Sequence, residues 1–197
     1  MSVAILALCA VPAAAQTPPL TVERVASLPS LIGTAPAAPV WSPDGTRIAF
    51  LWNDQGWPLR DVWVVARDGS GRRRVTAMAD TDPAPAPPAD DSTEALGARA
   101  AARARGGVSE VLWDGPTALL VVHRGTLFRY DLSGADAPER LGVGGDVSDV
   151  ALSPDGTRLA FLREGDLWLW TRGAAGVAPV KLTDIGVSGI GTAGTGA

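Results

Sequence analysis

Chemistry needs nucleophiles, bases or metal ligands at workable spacings, and this 197-residue sequence supplies few of them. The single histidine, His123, falls in a hairpin tip, His123-Arg124-Gly125, where a surface position explains it fully. The single cysteine, Cys9, lies in the first stretch of the chain, far from that imidazole in sequence. With one imidazole and one thiol, a zinc site of the usual nitrogen and sulfur ligands is hard to assemble. Asp80, Asp82, Asp90 and Asp91 lack the loop spacing of a calcium site. Gly186-Val187-Ser188-Gly189-Ile190 approaches the G-x-S-x-G nucleophile elbow and fails at its last position. Gly189-Ile190-Gly191-Thr192-Ala193-Gly194 spells G-x-G-x-x-G, but Thr195 to Ala197 cannot provide the helix whose N-terminus faces a pyrophosphate. No catalytic residue, cofactor or metal is therefore expected.

Two sets of polar residues invite a binding role instead. Asn53 to Arg60, NDQGWPLR, is an eight-residue hairpin loop where its counterparts use three residues, and extra loop length on a rigid scaffold is where recognition residues tend to sit. Trp57 and Arg60 are the candidates there. Arg99, Arg103 and Arg105 could line one side of a short helix, where a solvated face accounts for them. The formal charge of -4 and a pI near 4.9 argue against a nucleic-acid partner, which requires a clustered basic face.

The elements that must carry these residues announce themselves by repetition. WSPDGTRIAFLW (41–52) returns as LSPDGTRLAFLR (152–163), and a worn copy, LWDGPTALLVV (112–122), stands between them. In S-P-D-G, proline presets the first turn position and glycine accepts the positive φ that closes a hairpin bulge. The strand after each hairpin carries aromatics on one face, Trp63, Phe128 with Tyr130, and Trp168 with Trp170. Its other face holds Val62 with Val64 and Leu167 with Leu169, so these strands are expected to lie between layers, with Arg129 interrupting the pattern in the middle copy. Trp113 and Leu152 are 39 residues apart, near the roughly 40 to 45 of a four-stranded propeller repeat. The expectation is an all-β chain, a partial β-propeller of about three four-stranded blades, with units near 38–78, 108–143 and 147–184. The insertion 79–107 is Pro-, Ala- and Arg-rich, with a short helix capped at Asp91 or Ser92, and 185–197 is a Gly-rich end.

Residues 2–15, SVAILALCAVPAAA, are apolar and end in an A-x-A cleavage context before Gln16. They read as a signal peptide cleaved near Ala15-Gln16, giving a secreted or periplasmic protein. No disulfide framework is then available to the mature chain.

The pattern WSPDG-x-R-[IL]-A-F-L, followed by [DT]-[VL]-[WF] and a closing [RK]-[VL]-T (Arg74-Val75-Thr76, Lys181-Leu182-Thr183), resembles the propeller repeats of TolB-like proteins and of prolyl oligopeptidase-type serine peptidases. Over residues 20–45 and 93–113 the chain is similar to the N-terminal region of dipeptidyl peptidase IV-like enzymes. That resemblance implies a propeller that gates and orients peptide substrate for a C-terminal α/β-hydrolase domain, which this chain lacks. It also implies that the full-length protein could be a homodimer, and that Arg60, next to Trp57, could reach a substrate carbonyl. A TolB-like binding propeller that acts through protein contacts is the alternative. On its own the chain is expected to be aggregation-prone or only partly folded, since half-exposed tryptophans would forfeit burial comparable to a domain's whole stability.

Overall fold

A computed structural model describes residues 20–81, 107–134, 137–173 and 177–184. The stretch read as a signal peptide, the helix expected after Asp91, Arg99, Arg103 and Arg105, and the Gly-rich end lie outside the described residues.

Three four-stranded antiparallel sheets follow one another along the chain. The first contains β1 (Ala37–Trp41), β2 (Arg47–Trp52), β3 (Asp61–Ala66) and β4 (Arg73–Arg74). The second contains β5 (Val108–Trp113), β6 (Ala118–His123), β7 (Thr126–Asp131) and β8 (Glu139–Arg140). The third contains β9 (Val147–Leu152), β10 (Arg158–Arg163), β11 (Asp166–Thr171) and β12 (Val180–Lys181). In each the strands pair in simple sequence order. The middle copy, despite Arg129, pairs as the other two do. Two short helices are added, α1 (Val22–Ala26) and α2 (Met78–Thr81). Thr21 caps α1 by accepting a hydrogen bond from the Arg24 amide at 3.2 Å, a signal the sequence reading passed over.

Each S-P-D-G-T-R segment is a self-contained hydrogen-bonded corner. Ser42 Oγ donates to Asp44 at 2.6 Å and accepts from the Arg47 amide at 2.9 Å. The Gly45 amide closes the turn onto the Ser42 carbonyl at 2.9 Å, and Gly45 sits at φ +65°, in the region that favours glycine. Ser153, Asp155 and Arg158 repeat the arrangement at nearly the same distances. Hydrogen bonds from Ser153 and Thr157 hold the Asp155 carboxyl down to about 2.

What makes these sheets blades is the burial of β6. Side chains alternate across a strand, and here the two sets enter different cores. Leu119 and Val121 pack with Ala49, Leu51, Val62 and Val64 of the first sheet. Leu120 and Val122 pack with Val147, Val150, Leu159 and Phe161 of the third. The middle sheet is thus sandwiched between its neighbours. In the third sheet the face equivalent to Ala49, Leu51, Val62 and Val64 consists of Ala160, Leu162, Leu167 and Leu169, all only half-buried.

Polar contacts run along the same junctions. The Val108 amide donates to the Arg60 carbonyl at 2.8 Å, and the Val147 amide to the Gly125 carbonyl at 2.9 Å. Trp113 Nε1 donates to the Val40 carbonyl at 3.0 Å. Asp114, relieved of the turn role its counterparts Asp44 and Asp155 play, receives the Arg172 guanidinium of the third sheet on both oxygens at 2.6 Å. Arg129 adds a third bond to the same carboxylate at 2.7 Å. The residue that broke the apolar pattern of the middle copy therefore belongs to an ion-pair cluster joining two blades.

Candidate functional site

The long loop after β2 and the start of α2 enclose a pocket of about 200 Å³ at one end of the first blade. The loop is held in shape from inside and outside. Asn53 is its hub. The Asn53 Oδ1 accepts from the amides of Gln55 at 3.0 Å and Trp57 at 3.1 Å, while Nδ2 donates to the Leu59 carbonyl at 2.8 Å. From outside, the opening segment docks on it. Ser30 N–H donates to the Gly56 carbonyl at 2.9 Å, Thr34 Oγ1 donates to the Asn53 carbonyl at 2.7 Å, and Trp52 Nε1 donates to the Thr34 carbonyl at 2.7 Å. The approach at Gly56 is so close that a Cβ there would stand 2.6 Å from the Ser30 carbonyl oxygen.

On the opposite side the pocket is built on a buried carboxylate. Asp61, the first residue of β3, accepts from Thr76 Oγ1 at 2.6 Å, from the Met78 amide at 2.8 Å and from the Ala79 amide at 3.2 Å. Its other oxygen pairs with Arg74 at 2.7 Å. Thr76 Oγ1 in turn accepts from the Val62 amide at 3.0 Å. In the third blade Thr183 Oγ1 likewise accepts from the Leu167 amide at 2.9 Å and donates to Asp166 at 3.2 Å, while Lys181 stands in for the arginine at 2.7 Å. In the middle blade Thr126 replaces the aspartate and Gly142 the threonine, so both halves of this lock are lost together. Asp61 is therefore a structural carboxylate with its oxygens committed. Arg74 bridges from it to Asp80 at 2.7 Å. Burial alone would lower the Arg74 pKa, but Asp80 and Asp61 together raise it above the ordinary arginine value.

Three indoles line the space, those of Trp52, Trp57 and Trp63. Trp52 and Trp63 meet edge to face with centroids 5.2 Å apart. Trp57 is 37% exposed, whereas Trp63 is only 8% exposed and buries its Nε1–H with no acceptor among the described residues. Asp54, exposed in the loop, makes no hydrogen bond or ion pair among the described residues.

Of the two loop residues nominated from the sequence, Trp57 lines the pocket and Arg60 does not. Arg60 lies at the junction with the second blade. Its carbonyl is taken by Val108, and Gly107 packs so tightly that a Cβ would come within 2.7 Å of the Arg60 nitrogen. Its Nε is buried without an acceptor, and its guanidinium has no ion-pair partner among the described residues. His123 ends β6, opposite Thr126 and Val108, and is not part of the pocket. Among the described residues no group of three metal-ligating side chains occurs. The sequence reading missed Trp52, Trp63, Asp54, Arg74 and Asp80. A usable signal existed for the tryptophans, which flank the long loop on strands that pair with each other. The run Arg72-Arg73-Arg74 is engaged throughout. Arg72 lies 5.2 Å from the Trp52 ring centroid, Arg73 donates to the Leu132 carbonyl at 3.2 Å, and Arg74 holds the carboxylates.

No known protein-family profile matches the chain. Among solved structures it is similar to TolB from Acinetobacter baumannii, with 18% identity, 68% of this chain and 29% of that one covered, and a TM-score of 0.47. A puromycin-hydrolyzing peptidase of Mycobacterium tuberculosis gives 24% identity, 70% and 20% coverage, and a TM-score of 0.43. The β-propeller domain of the Trilobed protease from Pyrococcus furiosus gives 14% identity, 76% and 43% coverage, and a TM-score of 0.43. The chain thus spans less than half the length of each. The fold is that of β-propeller blades, stacked so that β6 is buried on both faces.

Proposed function

We propose that this chain is the substrate-orienting propeller portion of a secreted dipeptidyl peptidase IV-like serine peptidase, whose hydrolysis belongs to an α/β-hydrolase domain. The observation that carries the reading is Arg60. An arginine with a buried Nε and no acceptor is costly to keep, and it is held at a blade junction by its own backbone, beside a loop braced at both ends. A peptide carbonyl or carboxylate supplies what that fork lacks, through charge-assisted hydrogen bonds. The docked opening segment supports the same reading, because residues 20–45 carry the resemblance to these peptidases and are integral to the loop's architecture.

The test uses the uninterrupted reading frame that contains this chain, assayed with a panel of dipeptidyl p-nitroanilides. Dipeptide release, blocked by a fluorophosphonate, is the expected result. Arg60→Ala is expected to lower kcat/KM by about 10- to 150-fold, the equivalent of losing one charged hydrogen bond. Release that is indifferent to Arg60→Ala would remove the role given to this arginine. No release from any member of the panel would remove the peptidase reading and leave a non-catalytic binding propeller in its place.

A further inference from the structure

We propose that the pocket on the first blade recognises the basic side chain of a peptide, taking a lysine ammonium or an arginine guanidinium against its indoles. The inference is independent of the peptidase reading, since a cation site on this loop is equally useful to a propeller that only binds.

Four observations lead to it. The first is the wall chemistry. Indole faces attract cations through their quadrupole, and the described residues use that attraction three times, with Arg47 over Trp113 at 5.4 Å, Arg72 over Trp52 at 5.2 Å and Arg163 over Trp168 at 3.6 Å. Arg72 thus serves Trp52 from outside the pocket lining, Trp63 stands almost buried against Trp52, and the half-exposed Trp57 presents its ring to a ligand.

The second observation is charge. Among the described residues that line the pocket, Asp54, Asp61 and Asp80 face a single cation, Arg74. Arg74 is already shared between Asp61 and Asp80, while Asp54 has no hydrogen-bond or ion-pair partner among the described residues. The third is the orphaned Trp63 Nε1–H, buried in a residue that lines the pocket. An indole donor left without an acceptor costs about 1 to 3 kcal/mol. A basic residue of a peptide brings the cation that the exposed indole face and Asp54 call for, and its arrival beside Trp63 is reported by that buried indole N–H.

The fourth is size. At about 200 Å³ the space is smaller than the roughly 300 to 1,000 Å³ that encloses a drug-sized ligand. One extended side chain suits it. The loop is also ready-formed, because Asn53 and the opening segment fix its backbone before any ligand arrives, which limits the ordering cost of binding.

The experiment is a titration of the full chain followed by tryptophan fluorescence and by the indole N–H resonances, assigned by triple-resonance methods. The ligands are Nα-acetyl-lysine methylamide, Nα-acetyl-arginine methylamide and their neutral counterpart Nα-acetyl-norleucine methylamide. A saturable shift of the Trp63 indole proton is expected with a basic amide, binding about tenfold tighter than the norleucine amide. Trp57→Ala is expected to weaken binding by about tenfold, and Asp54→Asn, at an exposed loop position, by about threefold. Equal affinity for norleucine amide makes the pocket an apolar slot and overturns the proposal. Absence of binding, or an affinity unchanged in both variants, overturns it as well. No hydrolysis is involved, so failure here leaves the peptidase assay to be judged separately.

Discussion

Replacing Asp114 with alanine removes the carboxylate on which two blades converge. Its side chain is 10% exposed and takes Arg172 of the third sheet on both oxygens, with Arg129 of its own sheet alongside. Deleting one partner of a fully buried ion pair costs about 3 to 5 kcal/mol, mostly through the charge left behind. Here the stranded guanidiniums are 19% and 31% exposed, so both regain some water and the loss should fall to about 2 to 3 kcal/mol. For a chain of this length that lowers Tm by about 5 to 10 °C. Urea unfolding followed by tryptophan fluorescence measures it, and the Asp114→Ala/Arg172→Ala double-mutant cycle isolates the inter-blade share. Acid titration gives an independent check. Burial alone would raise the Asp114 pKa, but the bonds and charges of Arg172 and Arg129 prevail and hold it below the ordinary carboxylate value. A depressed folded pKa means stability fully present above about pH 4 and lost as pH falls through the lower folded value. Asp114→Asn should lack that share of the acid dependence. An alanine variant within about 0.5 kcal/mol of the parent, or strictly additive single and double variants, would refute the idea that this cluster joins the blades.

Tyr130 is the only tyrosine, so absorbance near 295 nm titrates it alone. Burial, reinforced by the negative charge of Asp61, pushes its phenol up to about 12. The neutral form is favoured by folding, so its contribution is complete below about pH 10 and disappears as pH rises through about 12. A native midpoint equal to that in denaturant would contradict the packing of Tyr130 against the first blade. Thr76→Val leaves the Asp61 carboxylate and the Val62 amide each short of a partner in a buried site, and should cost about 2 to 3 kcal/mol in urea unfolding. Thr183→Val should cost less, because Thr183 is half-buried and its bond to Asp166 is longer, 3.2 Å against 2.6 Å. Equal losses at the two sites would argue against the burial difference.

The blade hairpins were legible because their information is local. Ser42-Pro43-Asp44-Gly45 and its repeat specify a turn by the dihedral preferences of proline and glycine, and the apolar runs that follow specify strands by composition. The all-β propeller class could be read from that repetition and its spacing. Burial of inner strands between neighbouring sheets was expected of a propeller, but which face of β6 meets which neighbour could not be read, because ALLVV is a continuous apolar run in which periodicity cannot assign faces. The middle copy looked aberrant for a related reason. Arg129 breaks a pattern within its own strand, and the explanation lies on Asp114 and Arg172, 15 and 43 residues away in opposite directions. The candidate site divides the same way. Trp57 stood out through loop length, a one-dimensional signal. Trp52, Trp63 and Arg74 meet only once the hairpin closes and β4 returns, and Asp80 joins them through a helix of four residues that composition did not announce.

Among the described residues, the backbone-to-backbone hydrogen bonds between successive sheets point one way. At both junctions the earlier sheet presents a carbonyl, Arg60 or Gly125, and the later one brings the N–H, Val108 or Val147. A polypeptide leaves the ribosome amino end first, so the waiting acceptor is in place before its donor has been translated. Docking order then coincides with the order of synthesis, and no sheet has to await a distant segment to find its predecessor.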